Sequence, residues 1–157
     1  MTADDRSWLL LSGALALVTA LSGCFPDPPN DWPVEITVPE GLQQCQYEAI
    51  YGGMGYWNNH PAFGVQLFMP VQEGGHSFIS TDEPRKHVAD YDYYSGEIRI
   101  GTDCEDYIVI AHELGHVLGI DHDNEPVSLM SVRPDAVREL RPWHIRHVRN
   151  LMDLEAP

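Results

Sequence analysis

Three observations predict an α+β fold for this 157-residue chain. Short runs that alternate apolar and polar residues mark strands, and longer stretches with apolar residues on a helical period mark helices. The two kinds arrive in the order strand, helix, several strands, helix, long loop, helix, rather than in strict alternation. The length is one domain's worth.

Residues 34–38, VEITV, alternate and are rich in β-branched types, so they read as the first strand. Pro39, Glu40 and Gly41 end it. A helix follows over about 42–57, with Leu42, Cys45, Ala49 and Ile50 as its apolar stripe and with Gly52, Gly53 and Gly55 weakening its end. Stretches 65–69 and 77–80 read as short strands on either side of a Gly74-Gly75 turn. The polar and aromatic stretch 81–95, with Tyr91, Tyr93 and Tyr94, supports no assignment. Glu97-Ile98-Arg99-Ile100 alternates again and stops at Gly101. Thr102 or Asp103 would cap a helix over about 104–118, and a long loop leads to a last helix over 142–153, opened by Pro142 and carrying Trp143, Val148, Leu151 and Met152.

The N-terminus reads differently. Residues 8–21 are apolar but too few for an ordinary membrane span, and they end in Leu21-Ser22-Gly23-Cys24. This tetrapeptide resembles the lipobox of bacterial lipoproteins, which implies a signal peptide over 1–23, lipid on Cys24 and an exported, membrane-anchored protein of the cell envelope. Asp4 and Asp5 against Arg6 depart from the usual positive leader. Residues 24–33, with FPDPPNDWP after the cysteine, form an extended tether, and 34–157 the folded domain. With Cys24 lipidated, Cys45 and Cys104 remain, an even pair in an oxidising compartment; a Cys45–Cys104 disulfide is expected, two separate thiols being the alternative. A net charge of −15 disfavours nucleic acid and anionic membrane surfaces as direct partners. No heptad pattern points to an oligomer, so a monomer is expected.

The chemistry is concentrated in His112-Glu113-Leu114-Gly115-His116-Val117-Leu118-Gly119-Ile120-Asp121-His122. Histidines four apart on a helix stack on one face and can reach a single metal ion. Glu113 is carried beside that ion without needing to bind it, which suits a base acting on water. His122 lies too far along to share the face of a straight helix. Gly119 can take the left-handed conformation that ends a helix, returning His122 toward the ion. Three imidazoles with an open fourth position are the ligand set of a catalytic zinc.

These eleven residues match the HExxHxxGxxH pattern of the metzincin zinc peptidases, and Ser128-Leu129-Met130-Ser131 resembles their Met-turn. The resemblance implies a compact domain with a mixed twisted sheet, an active-site helix, a Met-turn with Met130 under the metal, and a C-terminal helix. It implies one catalytic Zn2+ on His112, His116 and His122, Glu113 as general base, and a protein or peptide substrate. The matrixin-like group fits best, because SLMS lacks the tyrosine that follows the methionine in astacins. The cysteine-bearing propeptide of matrixins has no counterpart here, the tether following Cys24 directly. By the same resemblance an antiparallel edge strand before the helix pairs with extended substrate, and Glu97 to Ile100 is the candidate. The loop 131–140 would wall the pocket for the residue after the cut.

Other groups carry competing readings. His76 and His87, near Asp82, could bind a second metal or be ordinary polar histidines. His144 and His147 read as polar-face residues of the last helix. The acids Asp90, Asp92, Asp103, Glu105 and Asp106 leave calcium open but lack EF-hand spacing, so a solvated acidic face is the default. The alternative from another class is a non-catalytic, zinc-stabilised surface lipoprotein acting as a binding module.

Overall fold

The structure is a computed structural model, and it describes residues 31–81, 89–102, 106–132 and 138–153. In chain order the elements are β1 (Val34–Thr37), α1 (Gln44–Asn58), β2 (Phe68–Val71), β3 (His76–Ser80), β4 (Ala89–Asp92), β5 (Glu97–Ile100), α2 (Tyr107–Val117) and α3 (Pro142–Leu151). The strands form one mixed sheet in the order β2-β1-β3-β5-β4. Neighbours from β2 to β5 are parallel, and β4 runs antiparallel to β5. This is the expected α+β architecture.

The strand pattern works as the pleat requires. Val34 and Ile36 of β1 are buried while Glu35 is exposed, and Ile98 and Ile100 of β5 are buried. β2 lies further along than the expected 65–69 and includes Pro70. As an edge strand it needs ladder bonds on one side only, so a residue without an N–H is tolerated.

One expectation is overturned here. Glu97 to Ile100 is not an edge strand: β5 lies between β3 and β4 and is paired on both sides. The antiparallel edge is β4, drawn from the stretch that supported no assignment. Ala89 and Tyr91 are buried and Asp90 and Asp92 half-buried, so β4 does alternate. Its two aspartates and alanine are poor strand formers, which hides it.

Helix α1 continues through its glycines to Asn58 because they are its contact surface with α2. A Cβ on Gly53 would stand 2.7 Å from Ile110 Cγ2 and 2.9 Å from the Ala111 nitrogen; one on Gly52 would stand 2.7 Å from Tyr107 Cβ. Two turns of helix therefore approach more closely than side chains would allow. Trp57, fully buried, reinforces the contact by donating its indole N–H to the Ala111 carbonyl at 2.8 Å. At the other end of α1, Gln46 Nε2 donates to the Gly101 carbonyl (2.7 Å) and Gln43 Nε2 to that of Thr102 (3.3 Å).

Helix α2 is capped by Asp106, not by Thr102 or Asp103: its carboxylate accepts from the Ile108 N–H at 3.1 Å. Helix α3 starts at Pro142 as expected, but its histidines face inward. His144 is fully buried, its Nδ1 accepting from the Arg141 N–H (3.0 Å), and His147 Nε2 donates to the Leu118 carbonyl (3.0 Å). Among the described residues no helix is long and apolar enough to cross a membrane. Cys24, His87, Asp82, Asp103, Cys104 and Glu105 lie outside the described residues.

Candidate metal centre

The end of α2 creates the site. Gly119 has φ +73°, its N–H bonds the His116 carbonyl (2.9 Å), and the Ile120 N–H bonds the Gly115 carbonyl (3.0 Å). This is a Schellman closure, which needs a left-handed residue and so favours glycine. It turns the chain back over the last helical turn. The Ile120 carbonyl arrives 2.8 Å from His116 Nδ1, and His122 Nε2 arrives 3.2 Å from His116 Nε2 and 3.0 Å from His112 Nε2.

The loop after His122 is laced to the turn at residues 128–131, where the Ser131 N–H donates to the Ser128 carbonyl (3.2 Å). The Asp123 N–H donates to the Met130 carbonyl (2.9 Å) and the Val132 N–H to the Asp123 carbonyl (3.3 Å). The Asp123 carboxylate accepts from Ser128 Oγ, which itself accepts from the Met130 N–H at 3.1 Å. His144 Nε2 lies 3.4 Å from both Asp123 Oδ2 and Ser128 Oγ, so α3 supports this loop from below. The turn then presents the Leu129 carbonyl to His112 Nδ1 at 2.7 Å.

Both helical imidazoles thus spend their Nδ1 hydrogen on a carbonyl, which fixes the tautomer and leaves a bare lone pair on Nε2. His122 Nε2 faces both of these lone pairs, so a cation among the three nitrogens could be bound by all of them. Zn–N bonds of 2.0–2.1 Å in tetrahedral array separate nitrogens by roughly 3.3 Å, close to the spacings found. The donor set fits zinc. Among the described residues these three histidines are the group that could hold a metal ion; His112 and His116 are buried, His122 exposed.

Burial sets the charges. It lowers His112 to about 4 and His116 to about 3, the neighbouring histidines adding to the effect, so both are neutral and ready to bind metal near pH 7. Burial pushes Glu113 up to about 8, opposed by the Tyr91 backbone N–H, reinforced by Asp90 and opposed again by Arg138. A divalent cation beside it would favour the carboxylate. Met130 is fully buried beneath α2: a Cβ on Gly115 would stand 2.4 Å from its Sδ and 3.4 Å from the Trp57 ring.

The structure therefore brings together His112, Glu113, His116, His122 and Met130, and it leaves Glu97 to Ile100 inside the sheet. Sequence reading missed Trp57, Asp123, Ser128 as a bonding partner, His144, and Tyr93, whose hydroxyl lies 2.8 Å from His116 Nδ1. Only Ser128 had a signal, its place in the Met-turn. Of the other candidate ligands, His76 Nδ1 faces the Tyr91 hydroxyl at 3.2 Å, Asp90 and Asp92 pair with Arg99, and Asp106 caps α2.

Comparison with known proteins agrees with this geometry. The family model described as Matrixin matches residues 58–140, more than half of the chain. Among solved structures, high choriolytic enzyme 1, a hatching enzyme zinc-protease from the medaka fish Oryzias latipes, is similar in fold. It matches with a TM-score of 0.52 at 12% identity, over 78% of this chain and 90% of that one. No curated protein matches by sequence.

Proposed function

This chain belongs to the matrixin family, and from that premise we propose that it is a zinc endopeptidase with His112, His116 and His122 as metal ligands and Glu113 as general base. The observation that carries the reading is the convergence of three Nε2 atoms, two of them with Nδ1 locked to carbonyls. Zinc held there would act as a Lewis acid toward the scissile carbonyl and lower the pKa of attacking water.

The chain's own groups do the rest. Glu113 takes the proton of the attacking water and delivers it to the leaving amine. The outer edge of β4 pairs with an extended peptide, a role supported by its antiparallel edge position and by its closeness to Glu113, which the Tyr91 N–H faces. Helix α2 walls the pocket beyond the cut; of the loop 131–140 expected to complete it, residues 133–137 lie outside the described residues. Met130 packs as a floor under α2 and holds the Leu129 carbonyl against His112.

The same proposal includes lipid on Cys24, which anchors the exported domain through the tether to a bacterial envelope membrane. It also includes a Cys45–Cys104 disulfide. The bonds from Gln43 and Gln46 to residues 101 and 102, which precede Cys104 in the chain, support that pairing.

Zinc content and cleavage of a mixed peptide library, measured on wild type and Glu113→Gln, test the reading. Equal zinc with turnover reduced roughly 10²- to 10⁴-fold in the variant is expected. A variant that cleaves at the wild-type rate removes Glu113 from the mechanism. Zinc in both with cleavage in neither returns the protein to the binding-module alternative.

A further inference from the structure

We propose that Tyr93 is a positioning residue for the metal centre, holding His116 from the strand that borders the cleft; the inference rests on the zinc-site reading above. Tyr93 is the first residue after β4. The turn that follows is tightly made: the Asp92 carbonyl accepts from the Gly96 N–H (2.9 Å), and the Asp92 carboxylate accepts from the Tyr94 N–H (2.9 Å). Tyr94 projects into solvent at 92% exposure, while Tyr93 turns inward.

Its ring is clamped edge-on by Tyr91 (centroids 4.9 Å) on one side and by His116 (5.7 Å) on the other. The hydroxyl is thereby aimed at His116 Nδ1, 2.8 Å away. The Ile120 carbonyl lies at the same distance from that nitrogen. Nδ1 carries one hydrogen when Nε2 binds metal, and a carbonyl can only accept. The phenol oxygen therefore accepts a share of the same N–H, and His116 has two acceptors where His112 has the Leu129 carbonyl. Two acceptors fix the ring plane more firmly and make Nε2 the better donor, the effect known for outer partners of metal-bound histidine. They also join β4 mechanically to a ligand.

Tyr93→Phe in the full chain removes the oxygen and keeps the ring packing. Zinc affinity, measured by competition with a chromophoric chelator, should weaken about tenfold or more, and the visible absorption bands of the cobalt-substituted protein should shift. Tyr91→Phe is the matched control. Its hydroxyl meets His76 rather than a ligand, so zinc affinity should stay within about twofold. Equal zinc affinity and an unchanged cobalt spectrum in Tyr93→Phe overturn the proposal even if thermal stability falls, since that fall would be a packing effect alone. A wild type that binds no zinc overturns the metal-site reading and this inference with it.

Discussion

Helix α2 delivers His112 and His116 from a wall packed on several sides, whereas His122 arrives exposed, on a loop whose course is set by hydrogen bonds and one glycine. The helical side is built by contact. Gly53 meets Ile110, Trp57 bonds the Ala111 carbonyl, and Met130 fills the space at Gly115. The loop side is built by bonding: the Schellman closure at Gly119, then Asp123 to the Met130 carbonyl and to Ser128. A site divided in this way should respond to different perturbations on its two sides. Protonation and added volume should strike the helix, and backbone strain should strike the loop.

The largest effect separating them is one of pH, measured by chemical denaturation of the metal-free chain. Glu113 is raised in the fold from 4.5 to about 8, so stability is lost as pH rises through that range. His112 and His116 are lowered from 6.5 to about 4 and about 3, so their contribution is intact above 6.5 and lost as pH falls toward those values. Between 4.5 and 6.5 two histidine protons oppose one from Glu113, and the histidines win. These three groups alone place the maximum near pH 6.5. One proton of difference is worth ~1.4 kcal/mol per pH unit, so about 2 kcal/mol should be lost between pH 6.5 and 8. Glu113→Gln should abolish that alkaline limb, and zinc should flatten both limbs. An alkaline limb that survives in Glu113→Gln would show that Glu113 is not its source.

Gly115→Ala should come next. The new methyl group meets the Met130 sulfur, and Trp57 closes the way out. Overpacking costs about 1–3 kcal/mol, partly offset by about 1 kcal/mol of helix propensity, for a net loss on the order of 1 kcal/mol. Zinc content should fall as well, because the Leu129 carbonyl moves with Met130. Unchanged stability and zinc would mean that Met130 swings aside and that the helical side is softer than its packing implies.

The same division explains what could be read without coordinates. The three histidines, Glu113 and Gly119 were legible because each follows from local geometry, four residues along a helix and a left-handed stop, whereas Met130 was legible only through the resemblance of its turn to a family pattern. Contacts between distant segments have no spacing rule. Nothing in a sequence relates Tyr93 to His116, Trp57 to Ala111, or His144 to Asp123. The strand error has the same origin. Glu97-Ile98-Arg99-Ile100 was recognisable as a strand from its alternation, but its place inside the sheet depends on where β3 and β4 pair, and β4 was masked by its aspartates. The glycines of α1 have a second role that was illegible for a related reason: they weaken a helix in isolation and permit the close approach of α2 in the fold.

The smallest effect belongs to the loop side, and it is the most specific. Gly119→Ala puts a methyl group on a residue at φ +73°, a conformation that costs an L-residue roughly 1 kcal/mol. The chain can escape this strain only by opening the Schellman closure. That withdraws the Ile120 carbonyl from His116 and swings His122 away from the other two nitrogens. Stability should therefore fall by only about 1 kcal/mol, while zinc affinity falls by more than that loss alone would explain. Gly119→Asn, which tolerates the left-handed region better, should restore most of both. Equal losses of stability and of zinc affinity across these two variants would mean that the loop is held by Asp123 and Ser128 rather than by its glycine. The hydrogen-bonded half of the site would then be nearly as rigid as the packed half.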